Sequence, residues 1–167
     1  GDFRPMGAEV DMGFDESTVG CINCTASAAS SQTGWINQVE ISNINNISGN
    51  DNGYGDYTNL TTLVAAGYST LLKVTPSNAN NQYWRVWVDL NQDGDYADAG
   101  EMIFEDDNNS TMANVVIPST ATMGPTIIRV GMQFGSYPTA CGNFSNGEVE
   151  DYSIIIVQSP PNTCNNV

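Results

Sequence analysis

The sequence predicts an all-β fold, an antiparallel β-sandwich with jelly-roll-like connections. Short runs rich in β-branched and aromatic residues recur along the chain, and clusters of Gly, Asn, Asp and Pro separate them. Several runs alternate apolar and polar residues with a period of two, and no segment carries a sustained helical stripe. The 167 residues suffice for one domain with its own core. We therefore expect two sheets packed face to face.

Six runs carry the strand pattern, and turn residues bound each of them. In chain order they are residues 35–41, 68–75, 83–90, 112–117, 126–134 and 149–157. Residues 1–20 lack periodicity and are interpreted as an irregular lead-in or linker. The domain itself is predicted to span residues 21–157. Residues 158–167 contain a Pro-Pro pair and three asparagines, which indicates an exit linker.

The chain is strongly acidic, with 4 Lys and Arg against 19 Asp and Glu and a net charge of −15. Such a chain repels phosphate backbones and anionic membrane surfaces, so we expect no nucleic-acid partner. No apolar stretch approaches the roughly 18 residues of a spanning helix, so we expect no membrane insertion. The sequence contains no histidine. Ser-His-Asp and Cys-His catalysis are therefore excluded within this chain.

Four cysteines indicate an oxidising, extracellular setting: Cys21, Cys24, Cys141 and Cys164. A zinc site is the alternative interpretation of Cys21-x-x-Cys24, but the other two cysteines form no second knuckle. Two disulfides are preferred, and three pairings are possible. We expect Cys24–Cys141 and Cys21–Cys164, which would attach the N-terminal segment and the C-terminal tail to the domain.

Residues 89–101 carry the first half of a calcium-loop pattern of the D-x-[DN]-x-[DN]-G type. Oxygen-bearing side chains stand at four alternate positions, Asp89, Asn91, Asp93 and Asp95. Gly94 lies where the loop must turn, and Gly100 lies where an EF-hand has its closing Glu. Because a strand-like run precedes the loop, we predict a calcium site on a β scaffold, closed by Asp98 or Glu101. The alternative is an acidic hairpin loop whose Asn, Asp and Gly residues only form turns.

Residues 147–152 read Gly-Glu-Val-Glu-Asp-Tyr, and five further segments, 44–49, 53–58, 83–89, 91–95 and 141–142, accompany this motif in order. Together they resemble the GEVED domain family over roughly residues 24–157. The resemblance implies a secreted β-sandwich module that accompanies extracellular hydrolases and adhesin-like repeats, mostly in Bacteroidota. It therefore implies an extracellular or cell-surface location and a larger secreted protein of which this chain is a part. Cys21 and the segment before it depart from the family.

The acidic residues of the 147–152 motif have three interpretations. Glu148 and Glu150 share the parity of the apolar residues that follow them, so they lie where a core strand begins. We expect structural ion pairs with Arg85 and Arg129, the two arginines inside predicted strands. A second interpretation is a metal site that also includes Asp56. A catalytic carboxylate pair is the least favoured interpretation.

Residues 51–57 form a glycine-rich loop with two tyrosines. Tyr54, Asp56 and Tyr57 are predicted to form a sugar-binding lip, because aromatic rings stack on pyranose rings and carboxylates bind hydroxyls. Trp87 is a further candidate for stacking on a sugar. The alternative is a connecting turn whose tyrosines cover the sandwich edge, with Trp87 in the core.

These features predict a non-catalytic, calcium-stabilised accessory module outside the cell. We expect it to bind extracellular polysaccharide or to attach its host protein to a surface. The alternative is a structural bead of an adhesin or extracellular fibre that contacts cell-surface protein. The proline-containing exit segment would suit such serial linkage.

Overall fold

The computed structural model describes residues 24–78, 80–107 and 111–158. Within these ranges the chain forms strands and no helix, so no described segment is a helix able to span a membrane. The strands are β1 (Ala26–Ser30), β2 (Ile36–Ile41), β3 (Ile44–Asn46), β4 (Tyr54–Ala65), β5 (Ser69–Pro76), β6 (Gln82–Val88), β7 (Met102–Asp106), β8 (Thr111–Val116), β9 (Gly124–Phe134) and β10 (Gly142–Val157).

The strands form two packed sheets, which confirms the predicted β-sandwich. The larger sheet has the order β1-β10-β9-β6-β7, and β4 also pairs with β10. The smaller sheet has the order β3-β2-β5-β8. The chain passes repeatedly from one sheet to the other, so residues distant in sequence meet between them.

The larger sheet contains parallel as well as antiparallel pairings. β10 pairs antiparallel with β9 but parallel with both β1 and β4. β1 pairs with the first part of β10, where Ala26 faces Gly142, and β4 pairs with the later part, where Tyr54 faces Val149. At 16 residues, β10 is long enough to hold two partners along one edge. Side-chain patterning reveals strands but not the direction of their partners.

The six predicted runs correspond to β2, β5, β6, β8, β9 and the later part of β10. The prediction missed β1, β3, β4 and β7. β1 consists of Ala and Ser alone, which carry little β propensity, so its pairing with β10 decides its conformation. β4 begins inside the segment 51–57, although the glycines of that segment predict a loop.

The hydrophobic core lies between the sheets and draws on both. Its fully buried side chains include Ile36, Val39, Leu72 and Val74 from the smaller sheet and Trp84, Val86, Val130 and Ile154 from the larger one. Alternation along β9 and β10 sends the even-numbered residues into this core. Arg129 and Asp151 consequently lie on the outer face of the larger sheet, where the candidate site is built.

Part of that outer face is covered by the loop that follows β9. The ring of Trp87 packs over Gly131, where a Cβ atom would lie 3.1 Å from Trp87 Cζ3 and 3.1 Å from Pro138 Cγ. Arg85 Nη1 donates to the Pro138 carbonyl at 3.2 Å, which holds the loop in place. Trp87 is therefore only 4% exposed.

A disulfide joins Cys24, just before β1, to Cys141, just before β10, with a Cα–Cα distance of 5.5 Å. This confirms the first predicted pair. Cys21 and Cys164 lie outside the described residues, so their pairing stays a prediction. The predicted linkers at 1–20 and 158–167 also lie outside them, apart from Gln158.

Candidate functional site

The acidic loop 89–101 joins β6 to β7, and Glu101 closes it. The Val88 N–H donates to the Glu101 carbonyl at 2.9 Å. Glu101 is 1% exposed; its Oε1 accepts the Leu90 N–H at 3.0 Å and its Oε2 accepts the Asp98 N–H at 3.1 Å. Glu101 therefore holds the two ends of the loop together, and only its remaining lone pairs can face a cation.

Asp89 shapes the turn of the same loop. Its Oδ1 accepts the N–H of Asp93 and its Oδ2 the N–H of Gly94, each at 3.1 Å. Gly94 has φ 92°, a conformation that favours glycine. Burial raises the pKa of both Asp89 and Glu101, although backbone hydrogen bonds oppose the shift. Two buried carboxylates thus lie beneath the loop.

Three carboxylates come together above them. Oxygens of Asp93, Asp95 and Asp98 lie within 4.8 Å of one another. Asn91 Nδ2 donates to Asp93 Oδ2 at 2.9 Å and to Asp98 Oδ2 at 2.6 Å. If the Asn91 amide rotated, its oxygen would take the position of Nδ2 beside Asp93 and Asp98. Calcium binds six to eight such oxygens at about 2.3–2.6 Å, so oxygens about 4.8 Å apart can share one ion.

The donor set of the loop therefore fits calcium. The structure brings together three of the six predicted ligands as carboxylates, places Asn91 between them, and uses Asp89 and Glu101 chiefly to hold the backbone. None of the ion pairs among the described residues reaches into the loop. Calcium binding here stays a prediction.

Tyr96 connects the acidic loop to the outer face of the larger sheet. It is 5% exposed, and the Arg129 guanidinium lies 4.9 Å from the centre of its ring. The Gly94 carbonyl accepts the N–H of Cys24 at 3.1 Å. The loop thus contacts both the disulfide and the arginine at the base of the neighbouring pocket.

An open pocket of about 530 Å³ lies where β1, β4, β9 and β10 meet on the outer face. Four hydroxyl-bearing side chains line it, Thr25, Ser27, Tyr54 and Thr58. Ala26 and Ile127 add apolar surface, and Arg129 and Asp151 form its base. The lining thus combines an aromatic ring, hydroxyls and aliphatic groups.

Arg129 and Asp151 form a buried bidentate ion pair at the base of the pocket. Nε lies 2.8 Å from Oδ1 and Nη2 lies 2.7 Å from Oδ2. Arg129 Nη1 donates to the carbonyls of Cys24 and Ala140 at 2.6 and 2.7 Å. Burial disfavours the charge of Arg129, but its contacts with Asp151 outweigh burial and raise its pKa. Tyr54 completes the base, because its hydroxyl donates to Asp151 Oδ2 at 3.0 Å.

Two of the predicted sugar-binding residues lie at or near this pocket. Tyr54 is 37% exposed, and burial together with Asp151 raises its pKa, so its hydroxyl stays protonated. Asp56 is exposed on the same face of β4. Its Oδ1 accepts the N–H of Thr58 at 3.0 Å and the Thr58 hydroxyl at 2.7 Å.

Of the other two predicted sugar-binding residues, Trp87 is buried, so the prediction is wrong for it, and Tyr57 is only partly buried, so its role stays a prediction. Tyr57 has the opposite parity from Tyr54 and stacks on Tyr152 with ring centres 5.5 Å apart. Trp87 is covered by the loop that follows β9. The ring of Trp87 therefore offers no free face to a sugar, and Tyr152 occupies one face of the Tyr57 ring.

The predicted pairing of Arg129 with Glu148 or Glu150 is also wrong, since Asp151 takes that place. Asp151 lies directly opposite Arg129 in the pairing of β10 with β9, and both side chains point to the outer face. Glu148 and Glu150 point to the inner face, where this arginine cannot reach them.

Arg85 likewise pairs with a residue other than the predicted glutamates. It lies opposite Glu105 in the pairing of β6 with β7, and its Nε lies 2.7 Å from Glu105 Oε2. Its guanidinium also lies 4.7 Å from the ring centre of Tyr137. Both arginines therefore form ion pairs, as expected of arginines inside strands, but with carboxylates on their own face.

Glu148 and Glu150 are both 0% exposed, between the two sheets. Glu148 Oε2 accepts the Ile36 N–H at 2.8 Å and its Oε1 accepts the Asp51 N–H at 2.6 Å. Glu150 Oε2 accepts the hydroxyl proton of Tyr152. Burial is the main reason that the pKa of Glu148 is raised to about 7 and that of Glu150 to about 8.

Asp51, rather than the predicted Asp56, accompanies these two glutamates. Oxygens of Asp51, Glu148 and Glu150 lie within 4.8 Å of one another. Asp56 lies on the outer face of β4, opposite Asp151, so its proposed grouping with the glutamates is wrong.

Gly147 begins the acidic motif for a steric reason. Its φ is 148°, and a Cβ atom there would lie 2.0 Å from the Met132 carbonyl oxygen on β9. Only glycine allows this close approach of the two strands. Glycine at this position therefore allows β10 to lie close to β9.

Residues 83–155 match the family model of the GEVED domain. The resemblance seen in the sequence is confirmed over this segment. The GEVED match includes the acidic loop, Arg129 and the motif that begins at Gly147, and it indicates an accessory domain. β1 and β4, which form one side of the pocket, precede the matched segment.

No curated protein matches the chain significantly. Among solved structures, the crystal structure of the E. coli chaperone DraB is similar at 13% sequence identity and a TM-score of 0.33. The alignment covers 83% of this chain and 59% of the DraB chain.

Sequence reasoning missed Thr25, Ser27, Thr58 and Ile127 of the pocket and Asp51 of the buried acidic cluster. The first two lie in or next to β1, whose composition gives no strand signal. Strand parity would have found the partner of Arg129, because Asp151 alone among the motif's acids has outward parity.

Proposed function

We propose that this chain is a non-catalytic accessory module of a larger secreted protein, and that it binds extracellular polysaccharide in the outer pocket. Calcium in the 89–101 loop stabilises the module. The GEVED match over residues 83–155 supports the accessory role. The pocket beside Tyr54 is the main observation that supports a sugar as the ligand.

The chemistry of this pocket suits a neutral sugar. The ring of Tyr54 offers an apolar face, and hydroxyls of Thr25, Ser27 and Thr58 can exchange hydrogen bonds with sugar hydroxyls. A volume of about 530 Å³ falls in the usual range for small-ligand sites. The only cation in the lining, Arg129, already donates to Asp151 and to two carbonyls. An acidic polysaccharide would therefore find no free cation there, and the net charge of −15 would repel it.

Calcium in the acidic loop would act at a distance from the sugar. Asp93, Asp95 and Asp98, with the amide oxygen of Asn91, would hold the ion. The ion would offset their mutual repulsion and stiffen the loop. Because Tyr96 packs under Arg129, a stiff loop would also hold the base of the pocket in place.

Binding of soluble neutral polysaccharides to wild type and Tyr54→Ala in calcium tests the proposal. We expect Tyr54→Ala to bind about tenfold more weakly, because the loss of about 1.4 kcal/mol of ring contact corresponds to that factor. Tyr68→Ala is the matched control, because Tyr68 is a 44% exposed tyrosine in the turn between β4 and β5, outside the pocket. Equal binding by wild type and Tyr54→Ala, or no binding of any polysaccharide, would contradict the proposal.

A structural or protein-interaction bead is the second candidate function. Leu71, Met112 and Val116 are 47%, 67% and 54% exposed and share the outer face of the smaller sheet. Such neighbouring apolar side chains favour contact with a protein surface. If this function holds, attachment of the host protein to cells will fall in Met112→Ser and persist in Tyr54→Ala.

A further inference from the structure

Three carboxylates converge between the two sheets, away from the acidic loop. Glu148 and Glu150 project inward from β10, and Asp51 lies in the segment between β3 and β4. Their oxygens lie within 4.8 Å of one another, and both glutamates are 0% exposed. Buried carboxylates are stable only with compensation for their lost hydration.

No described cationic side chain supplies that compensation. Lys73 pairs with Glu40 and Arg85 with Glu105, while Arg129 pairs with Asp151 on the outer face. Arg4, the remaining cation of the sequence, lies outside the described residues. Nothing in the described part of the chain therefore neutralises the cluster.

The hydrogen-bond partners of the cluster leave one position open. Both oxygens of Glu148 accept backbone N–H groups, and Glu150 Oε2 accepts the Tyr152 hydroxyl. Glu150 Oε1 is buried without a hydrogen-bond partner. The Ser48 hydroxyl donates to the Ile36 carbonyl at 3.1 Å and also lies near Glu150, where a hydrogen bond from it would lower the pKa of that carboxyl. The unpartnered oxygen can take either a proton or a cation.

The donor set selects the kind of ion. All candidate ligands are oxygens, which hard divalent cations prefer. Magnesium demands octahedral geometry and usually keeps several waters, whereas calcium accepts irregular sets of protein oxygens. Because both glutamates are fully buried, a site that needs few waters is favoured.

We propose that Asp51, Glu148 and Glu150 bind a calcium ion between the two sheets, at a second site separate from the 89–101 loop. Glu148 also accepts the N–H of Ile36 at the start of β2, so the ion would lie where the smaller sheet meets β10. Bound calcium would therefore fasten the acidic motif of β10 to the smaller sheet. This site does not depend on the proposed sugar binding.

A proton on Glu150 is the competing way to satisfy the unpartnered oxygen. Glu150→Gln separates the two, because the amide has the shape of the protonated acid and lacks its capacity to bind an ion as an anion. If only a proton were involved, the variant would match wild type in calcium binding and stability. If calcium binds, the variant loses the ion.

The test is calcium titration calorimetry on chelator-treated protein, with circular dichroism confirming the fold of each variant. We expect Glu150→Gln to bind one calcium ion fewer than wild type, and the partly exposed Asp51→Asn to bind that ion at least tenfold more weakly. Asp93→Asn with Asp95→Asn, which disables the loop, should retain this ion, so failure of one site is distinguishable from failure of the other. Magnesium chloride at the same concentration should give no matching heat. Wild-type calcium stoichiometry and affinity in both Glu150→Gln and Asp51→Asn would overturn the proposal.

Discussion

Arg129 and Asp151 face each other across β9 and β10 and form a bidentate ion pair that is almost completely buried, with relative exposures of 2% and 4%. The remaining amino group of Arg129 holds the carbonyls of Cys24 and Ala140 on the two sides of the disulfide. One ion pair thus connects the acidic motif, the disulfide and the base of the pocket.

Loss of this ion pair should be costly. Asp151→Asn leaves the Arg129 charge buried without its anion, so we expect a loss of about 3–5 kcal/mol in the free energy of unfolding by urea. Glu105→Gln is the control, because it breaks the partly exposed pair with Arg85 and should cost at most about 1 kcal/mol. Equal losses in the two variants would show that burial of the Arg129 pair has no energetic weight.

Gly147 should tolerate no side chain. In Gly147→Ala the new Cβ would overlap the Met132 carbonyl oxygen, so β10 must move away from β9. We expect a larger loss of unfolding free energy than in Gly49→Ala, where φ is also positive but no atom lies within 4 Å of the added Cβ. The Gly49 variant should cost only the backbone strain of about 1–3 kcal/mol. Comparable stabilities of the two variants would argue against the close approach.

The chelated protein should lose stability as pH rises. Burial raises the pKa of Glu148 to about 7 and of Glu150 to about 8, from 4.5, so the folded state holds protons that the unfolded state releases. The groups that face them are Asp51, Tyr57 and Tyr152, and none of these is cationic. Their contribution is therefore complete below about pH 4.5 and is lost as pH rises to about 8.

Denaturant unfolding in EDTA, between about pH 5 and about pH 8, measures this slope. Glu150→Gln should show a shallower decline than wild type, because the amide does not titrate. Parallel declines in the two proteins would assign the pH dependence to other groups.

The sequence predicts the strands whose side chains alternate strongly between apolar and polar. It does not predict features that depend on which other part of the chain packs against a residue. Arg129 was correctly expected to be paired; strand parity singles out Asp151 as the acid of the motif on the same face, but the sequence does not show that β9 and β10 are neighbours. Trp87 has the pattern of an outward residue, yet it is only 4% exposed, and both it and Pro138 lie against Gly131. Asp51 joins the glutamates through a segment that the sequence shows only as polar and glycine-rich.

Stabilisation by calcium is the central claim, and differential scanning calorimetry in calcium chloride and in EDTA tests it most directly. With calcium at about a hundred times its dissociation constant, each site should contribute about 2.7 kcal/mol, or roughly 5–10 °C in melting temperature. The doubly substituted loop variant Asp93→Asn with Asp95→Asn should lose the part of this rise in melting temperature that the loop site contributes. Asp56→Asn is the control, because Asp56 is an exposed carboxylate outside both sites, and this variant should show the full rise. A wild-type melting temperature that is the same in calcium and in EDTA would contradict the account.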